Sequence, residues 1–245
     1  MPGRPQASQP DRDQVPPLPG EAGPAFVDGI LAMYRRGWFP MADPITGSID
    51  WFRPRWRGVI PIEPGAFRVS RSLRQRVRSG RLEIRSDTAF RRVITECSKP
   101  RRSEPLSWID DRIIEAYCVL HDAGRAHSVE AWLGSSEGGR TLVGGLYGVH
   151  LGGVFFGESM FCRPESGGTD ASKVCLVYLV HHMRRRGMTL LDAQVWSEHL
   201  GRMGCRKVPQ SAFVRLLDRA VGIDAAWEPF DAGSTNLEFS RDARA

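Results

Sequence analysis

A carboxylate and an amide two residues apart, Asp192 and Gln194, stand in the apolar run Thr189 to Val195, which reads as a buried strand. Alternation along a strand puts both side chains on one face. Such a pair can take or steer a proton, or it can satisfy buried backbone groups. Other chemistries lack their residues. There is no P-loop lysine motif, no G-x-S-x-G, no H-E-x-x-H and no strand-linked G-x-G-x-x-G. The five cysteines, Cys97, Cys118, Cys162, Cys175 and Cys205, are scattered without zinc spacing, so neither a metal site nor a disulfide framework is expected. His181 and His182 are adjacent, diverge on a helix, and cannot serve one ion together.

Charge carries the second chemical message. The 245 residues hold 34 Lys and Arg against 28 acids, a net charge of +6. Between Arg68 and Arg102, eleven arginines and Lys99 face only Glu83, Asp87 and Glu96. That local excess outweighs the whole chain's. Such a segment suits a polyanion, most commonly nucleic acid, although a solvated basic face has the same composition. A 41% hydrophobic and 25% charged composition is that of a globular chain long enough for a core. The longest uncharged run, Thr141 to Gly157, carries six glycines and His150, which fits strands and turns rather than lipid. No secretory pattern opens the chain, and a cytoplasmic location is the expectation.

Residues 1–24 hold seven of the 17 prolines and read as a disordered tail. A small N-terminal domain is expected over 25–67, with a helix through Phe26, Ile30, Leu31 and Tyr34 that stops at Gly37, then irregular chain broken by Pro54, Pro61 and Pro64. The remainder, 68–245, reads as one larger domain. Its predicted helices are Ser70 to Ser79, Asp87 to Cys97 and Asp110 to Ala123. Three strands follow at Ser128 to Leu133, Thr141 to Val149 and Gly153 to Phe161. A helix at Ala171 to Arg186, the strand with Asp192, a helix at Pro209 to Ala220 and a closing strand at Thr235 to Phe239 complete the order. This is an α+β pattern, a mixed sheet flanked by helices.

The strand-strand-strand-helix-strand order resembles the acetyl-CoA-dependent N-acetyltransferase (GNAT-like) fold. That family's pyrophosphate loop has no counterpart here. Arg163 to Asp170 lacks the R-x-x-G-x-G/A spacing and sets two acids where phosphates would lie. A closer resemblance is carried by Gly144-Gly145-Leu146-Tyr147-Gly148-Val149, by Val154 through Phe161 and by Asp170-Ala171-Ser172-Lys173. Leu191-Asp192-Ala193-Gln194-Val195, His199 through Gly204, Tyr34 through Pro40 and Trp108-Ile109 continue it in order. Over roughly residues 26 to 220 the chain resembles the leucyl/phenylalanyl-tRNA–protein transferases. It departs from them at Phe52, Cys205 and Gln210, and in a longer loop between Phe161 and Asp170.

The resemblance implies transfer of Leu, Phe or Met from aminoacyl-tRNA to the α-amino group of proteins beginning with Arg or Lys, a degradation mark. It implies no cofactor: no acetyl-CoA, metal or ATP. Asp192 and Gln194 take the catalytic positions, Gln194 orienting the amine and Asp192 accepting its proton or stabilising the ammonium. Leu146, Met160, Leu179, Met183 and Leu191 fall at amino-acid-pocket positions, with Glu158 beside them. Trp51 and Trp108 match aromatics at the mouth, where a terminal adenosine could stack. Arg71, Arg74, Arg76 and Arg78 would grip acceptor-stem phosphates. The other readings are an acetyl-CoA-dependent N-acetyltransferase, for which the loop is wrong, and a non-catalytic RNA-binding module, which leaves Asp192 and Gln194 without a task.

Overall fold

The computed structural model describes residues 24–100, 106–134, 138–230 and 237. The expected tail and closing strand fall almost wholly outside the described residues. Helix α1 (Pro24–Arg35) buries Phe26, Ile30, Leu31 and Tyr34 at the predicted spacing and stops before Gly37, held at φ +78°. The run expected to be irregular holds a hairpin, β1 (Phe39–Ala42) against β2 (Ile49–Phe52), closed by an Asp43 carboxylate that accepts from Ile45 N at 2.9 Å. It also holds β3 (Trp56–Ile60), which the prolines at 54 and 61 flank rather than break. Helix α2 (Arg71–Arg78) starts as predicted, with the Ser70 hydroxyl accepting from Leu73 N at 3.2 Å and Leu73 and Val77 buried.

A short strand that periodicity does not reveal, β4 (Glu83–Ser86), precedes α3 (Phe90–Ser98) and α4 (Asp111–Asp122). The three predicted strands follow as β5 (Ala126–Gly134), β6 (Arg140–Leu151) and β7 (Val154–Cys162). Then come α5 (Ala171–Arg185), β8 (Leu190–Asp192), α6 (Glu198–Arg202), β9 (Arg206–Pro209) and α7 (Gln210–Val221). The main sheet has seven strands in the order β4-β5-β6-β7-β8-β3-β9. Every pairing is antiparallel except β7 with β8. Because β3 lies between β8 and β9, a division at residue 67 runs through this sheet. Residues 193–195 do not extend β8 as expected.

Apolar side chains cover both faces of the sheet. One cluster gathers α1, the hairpin, α3, α4 and α7; the other gathers α2 and α5. The parallel pairing spans only Val154 to Phe156 against Leu190 to Asp192. Beyond it the two strands part, opening a space with polar groups at its neck.

Two close approaches shape that space. Opposite Tyr147 and Gly148 the register of β7 slips, so Ser159 and Gly157 are paired and Glu158 is the extra, bulged residue. A Cβ on Gly148 would stand 2.1 Å from the Phe156 carbonyl oxygen and 2.4 Å from the Phe155 ring. Gly148→Ala is therefore expected to cost about 1–3 kcal/mol, the typical penalty for overpacking. The drop in urea midpoint measures it.

Candidate active site

A cavity of about 330 Å³ fills the gap between β7 and β8. Leu146, Met160, Leu176, Leu179, Leu191 and Ile60 make its apolar wall, with Phe39, Met41 and Trp108 on another side. Glu158, Asp192 and Gln194 are its polar groups nearest the strand gap. Of the residues expected here, Leu146, Met160, Leu179, Leu191, Glu158, Trp108, Asp192 and Gln194 come together. Met183 does not line the cavity; it is fully buried in the cluster behind it. Trp51 is also elsewhere, 3% exposed in the opposite cluster and paired with Pro40 across the hairpin, so it has no face to offer a base.

Asp192 and Gln194 do not share a strand face. The strand ends at Asp192, and Gln194 adopts a left-handed backbone at φ +56°, a costly conformation for a side chain of its kind. That turn brings the Gln194 backbone N–H to Asp192 Oδ1 at 2.8 Å and its side-chain Nε2 to Glu158 Oε2 at 2.6 Å.

The Asp192 carboxylate is committed elsewhere. Arg57 Nε donates to Oδ1 at 2.9 Å and to Oδ2 at 3.0 Å, and Nη2 donates to Oδ2 at 2.6 Å. Both side chains are fully buried. The guanidinium also donates through Nη1 to the Gly37 carbonyl at 3.0 Å and lies 4.7 Å from the Phe39 and Phe213 ring centres. With both oxygens held by the guanidinium, this carboxylate is built to position its neighbours.

Glu158 has the opposite character. It sits in the apolar wall, accepting from Tyr34 Oη at 2.7 Å and from Gln194 Nε2. Tyr34 and Tyr117 hydroxyls bond to one another at its back. Burial pushes the Glu158 carboxyl up to about 7; the Tyr34 and Gln194 donors pull against this, and the nearby Asp192 charge adds to it. Burial first, then the Glu158 charge, holds Tyr34 far above the ordinary phenol range, so it remains a proton donor. The cavity thus contains a carboxyl poised to titrate at neutral pH and an amide in contact with it.

Sequence reasoning missed Arg57, which reads as one more arginine in Arg53-Pro54-Arg55-Trp56-Arg57, and placed Tyr34 only in the core. No local pattern reports either role.

Among the α2 arginines, Arg71 and Arg78 are exposed, while Arg74 and Arg76 are half-buried. Arg76 Nε lies 3.6 Å from Asp170 Oδ2. Asp170, which also accepts from Lys173 Nζ at 2.6 Å, precedes α5, so an acid stands where an acetyl-CoA pyrophosphate would need cationic company. One group of potential metal ligands occurs among the described residues: Asp87, His121 and His127 bring one ligand atom each within 4.8 Å. These atoms already serve packing, for Asp87 accepts from Ser128 N and Trp227 Nε1 and lies 2.9 Å from His127 Nδ1. Among the described residues no helix is long and apolar enough to cross a membrane.

Comparison with known proteins gives the family. A family model, leucyl/phenylalanyl-tRNA protein transferase, matches residues 60–218. A leucyl/phenylalanyl-tRNA–protein transferase of Chlorobaculum parvum is 43% identical over 195 residues, 80% of this chain and 95% of the relative. One of Salinibacter ruber is 44% identical over 212 residues, covering 86% and 87%. Among solved structures, FemX superposes with a TM-score of 0.47 at 14% identity, over 78% of this chain and 71% of that one. On the family match and these identities, the chain belongs to the leucyl/phenylalanyl-tRNA–protein transferase family and is an aminoacyltransferase.

Proposed function

We propose that this enzyme moves leucine, phenylalanine or methionine from aminoacyl-tRNA to the α-amino group of proteins that begin with arginine or lysine, marking them for degradation. The observation that carries the chemistry is the Glu158 carboxyl, pushed up to about 7 and bonded to Gln194 at the wall of an apolar cavity. The cavity volume suits a leucine or phenylalanine side chain, and flexible Met160 can adapt to either shape.

The aminoacyl ester is already activated, so positioning and one proton transfer suffice. Gln194 gives its Nε2 to Glu158, which leaves its carbonyl oxygen to accept from the incoming amine. The amine nitrogen attacks the ester carbonyl and its C–N bond forms. Glu158 takes the ammonium proton. The C–O bond to the ribose then breaks, and the departing oxygen receives that proton. Asp192, held by Arg57, anchors the Gln194 backbone and acts as a positioning residue rather than the final base.

Ionised Glu158 is the active form, so activity should rise through about pH 7. Tyr34→Phe removes a donor that favours the ionised form, and the rising limb of the pH–rate profile should move to higher pH. An unchanged limb in a folded variant would remove Glu158 from the proton path.

Arg71 and Arg78 are assigned to tRNA phosphates with Arg74 and Arg76. Replacing Arg71 and Arg78 by alanine should weaken donor binding and flatten its dependence on log salt by roughly one unit per lost contact. The choice between leucine and phenylalanine should not change. Incubation with radiolabelled Leu-tRNA and peptides starting with Arg, Lys, Asp or Met tests the whole reading. Label on the Arg and Lys peptides supports it; no label on any peptide, with acetyl-CoA binding in a parallel titration, returns the acetyltransferase alternative.

A further inference from the structure

Trp56 is the aromatic member of the large exposed hydrophobic side chains among the described residues, 56% exposed at the start of β3. Nothing in the site above employs it. Its position is fixed by its neighbours. Arg57 turns toward Phe39 and Phe213, so alternation sends Trp56, Gly58 and Ile60 to the other face, the one carrying α2 and α5. Gly58 N donates to the Gln194 carbonyl at 3.0 Å and Ala193 N to the Gly58 carbonyl at 2.8 Å. Ala193 and Gln194 thus both face Gly58, so the register set by Val59 with Asp192 slips there, and the chain at Val195 and Trp196 crosses the Gly58 face two residues along from Trp56. Val195 is a rim residue of the catalytic cavity and is 49% exposed.

The same face continues in kind. The Trp196 backbone crosses Gly58, 3.0 Å from where a Cβ would stand. Lys207, opposite Gly58 on β9, sets its ammonium 4.4 Å from the centre of the Trp196 ring. Arg55 and Arg206 are exposed along the same edge. Indole, indole and ammonium thus gather on this face, beside the rim residue Val195. A single-stranded nucleic acid matches this sequence of groups, since bases stack on indoles and cations follow phosphates.

We propose that Trp56 is a stacking platform for the unpaired nucleotides immediately before the donor's terminal nucleotide, with Lys207 on their phosphates. This rests on the aminoacyl-tRNA reading above. The terminal nucleotide must present its ester at the cavity, so the nucleotides before it have to cross the rim. The arginines of α2 lie on the same side of the sheet, as a path toward the paired stem requires.

The test compares binding of a hairpin RNA with four unpaired 3′ nucleotides to the same hairpin made blunt. Trp56→Ala should weaken binding of the overhang hairpin about tenfold relative to the blunt one, within the range for losing a base–aromatic stack. Trp56→Phe should restore most of it. Lys207→Ala, with the indole intact, should flatten the salt dependence for the overhang hairpin alone. In kinetics, the KM for leucyl-tRNA relative to leucyl-adenosine should rise by a similar factor in Trp56→Ala. Equal weakening of both hairpins, or none, in variants with unchanged melting overturns the proposal. If the overhang effect appears but the wild-type protein transfers no leucine, the proposed function fails and the platform stands.

Discussion

Glu158→Gln is expected to lower kcat by about 10²- to 10⁴-fold, the usual range for removing a positioned acid–base group. Binding of uncharged tRNA should change little, because the carboxylate faces the cavity wall, Tyr34 and Gln194 rather than the α2 arginines. The same substitution has a stability signature with a definite sign. An unfolded glutamate ionises near pH 4.5, whereas burial delays Glu158 to about 7. Between those values the unfolded chain has lost a proton that the folded protein still holds. Folding stability should therefore decline as pH rises from about 4.5 to about 7 and level off above that. A shift of this size corresponds to about 3 kcal/mol. The Gln variant should lose this component of the pH dependence, seen by urea unfolding at pH 5 and pH 8. A variant that kept both its rate and its pH slope would place the titrating group elsewhere.

Arg57→Ala is expected to cost about 3–5 kcal/mol, because it leaves the Asp192 carboxylate buried without its partner. Activity should fall with it, since Asp192 Oδ1 also receives the Gln194 backbone N–H. Truncating both members makes the decisive comparison. Arg57→Met with Asp192→Leu replaces two buried charges by apolar groups of similar length, which is often close to neutral in stability. The double variant should therefore unfold at a higher denaturant concentration than Arg57→Ala, yet remain inactive because Gln194 has lost its anchor. A double variant that recovered transfer would show that the ion pair serves folding alone.

The difference between these two carboxylates explains where sequence reasoning reached and where it stopped. Asp192 and Gln194 are visible as polar groups in an apolar run, but alternation assumes a strand, and the left-handed Gln194 ends it. Glu158 is marked by family resemblance; its poise comes from burial, with the bulge turning it inward and a Tyr34 donor, 124 residues away, pulling the other way. Arg57 carries no local sign because its partner is 135 residues distant.

The elements divide in the same way. Helices α1, α2 and α4 and strands β5 to β7 are legible because each is long enough to express its own period or cap. The four- and five-residue strands β1, β2, β3, β4 and β9 are defined by their neighbours, and prolines near β3 disguise it further. Trp51 is put at the mouth by family resemblance alone, whereas the hairpin buries it against the core.

The place of β3 in the sheet also sets an order of assembly on the ribosome. Residues 56–60 leave the exit tunnel early, but both strands that flank them, 190–192 and 206–209, are made some 130 to 150 residues later. Until then this segment can make no ladder, Arg57 has no carboxylate to meet, and the cavity lacks a wall. Closing so long a loop is the slow kind of step in folding, with apolar strand edges open in the meantime. The nascent enzyme is thus inactive by construction until nearly its whole length has emerged. A chain released before residue 206 would leave the outer edge of β3 without its partner strand, a surface for chaperones and proteases rather than for tRNA.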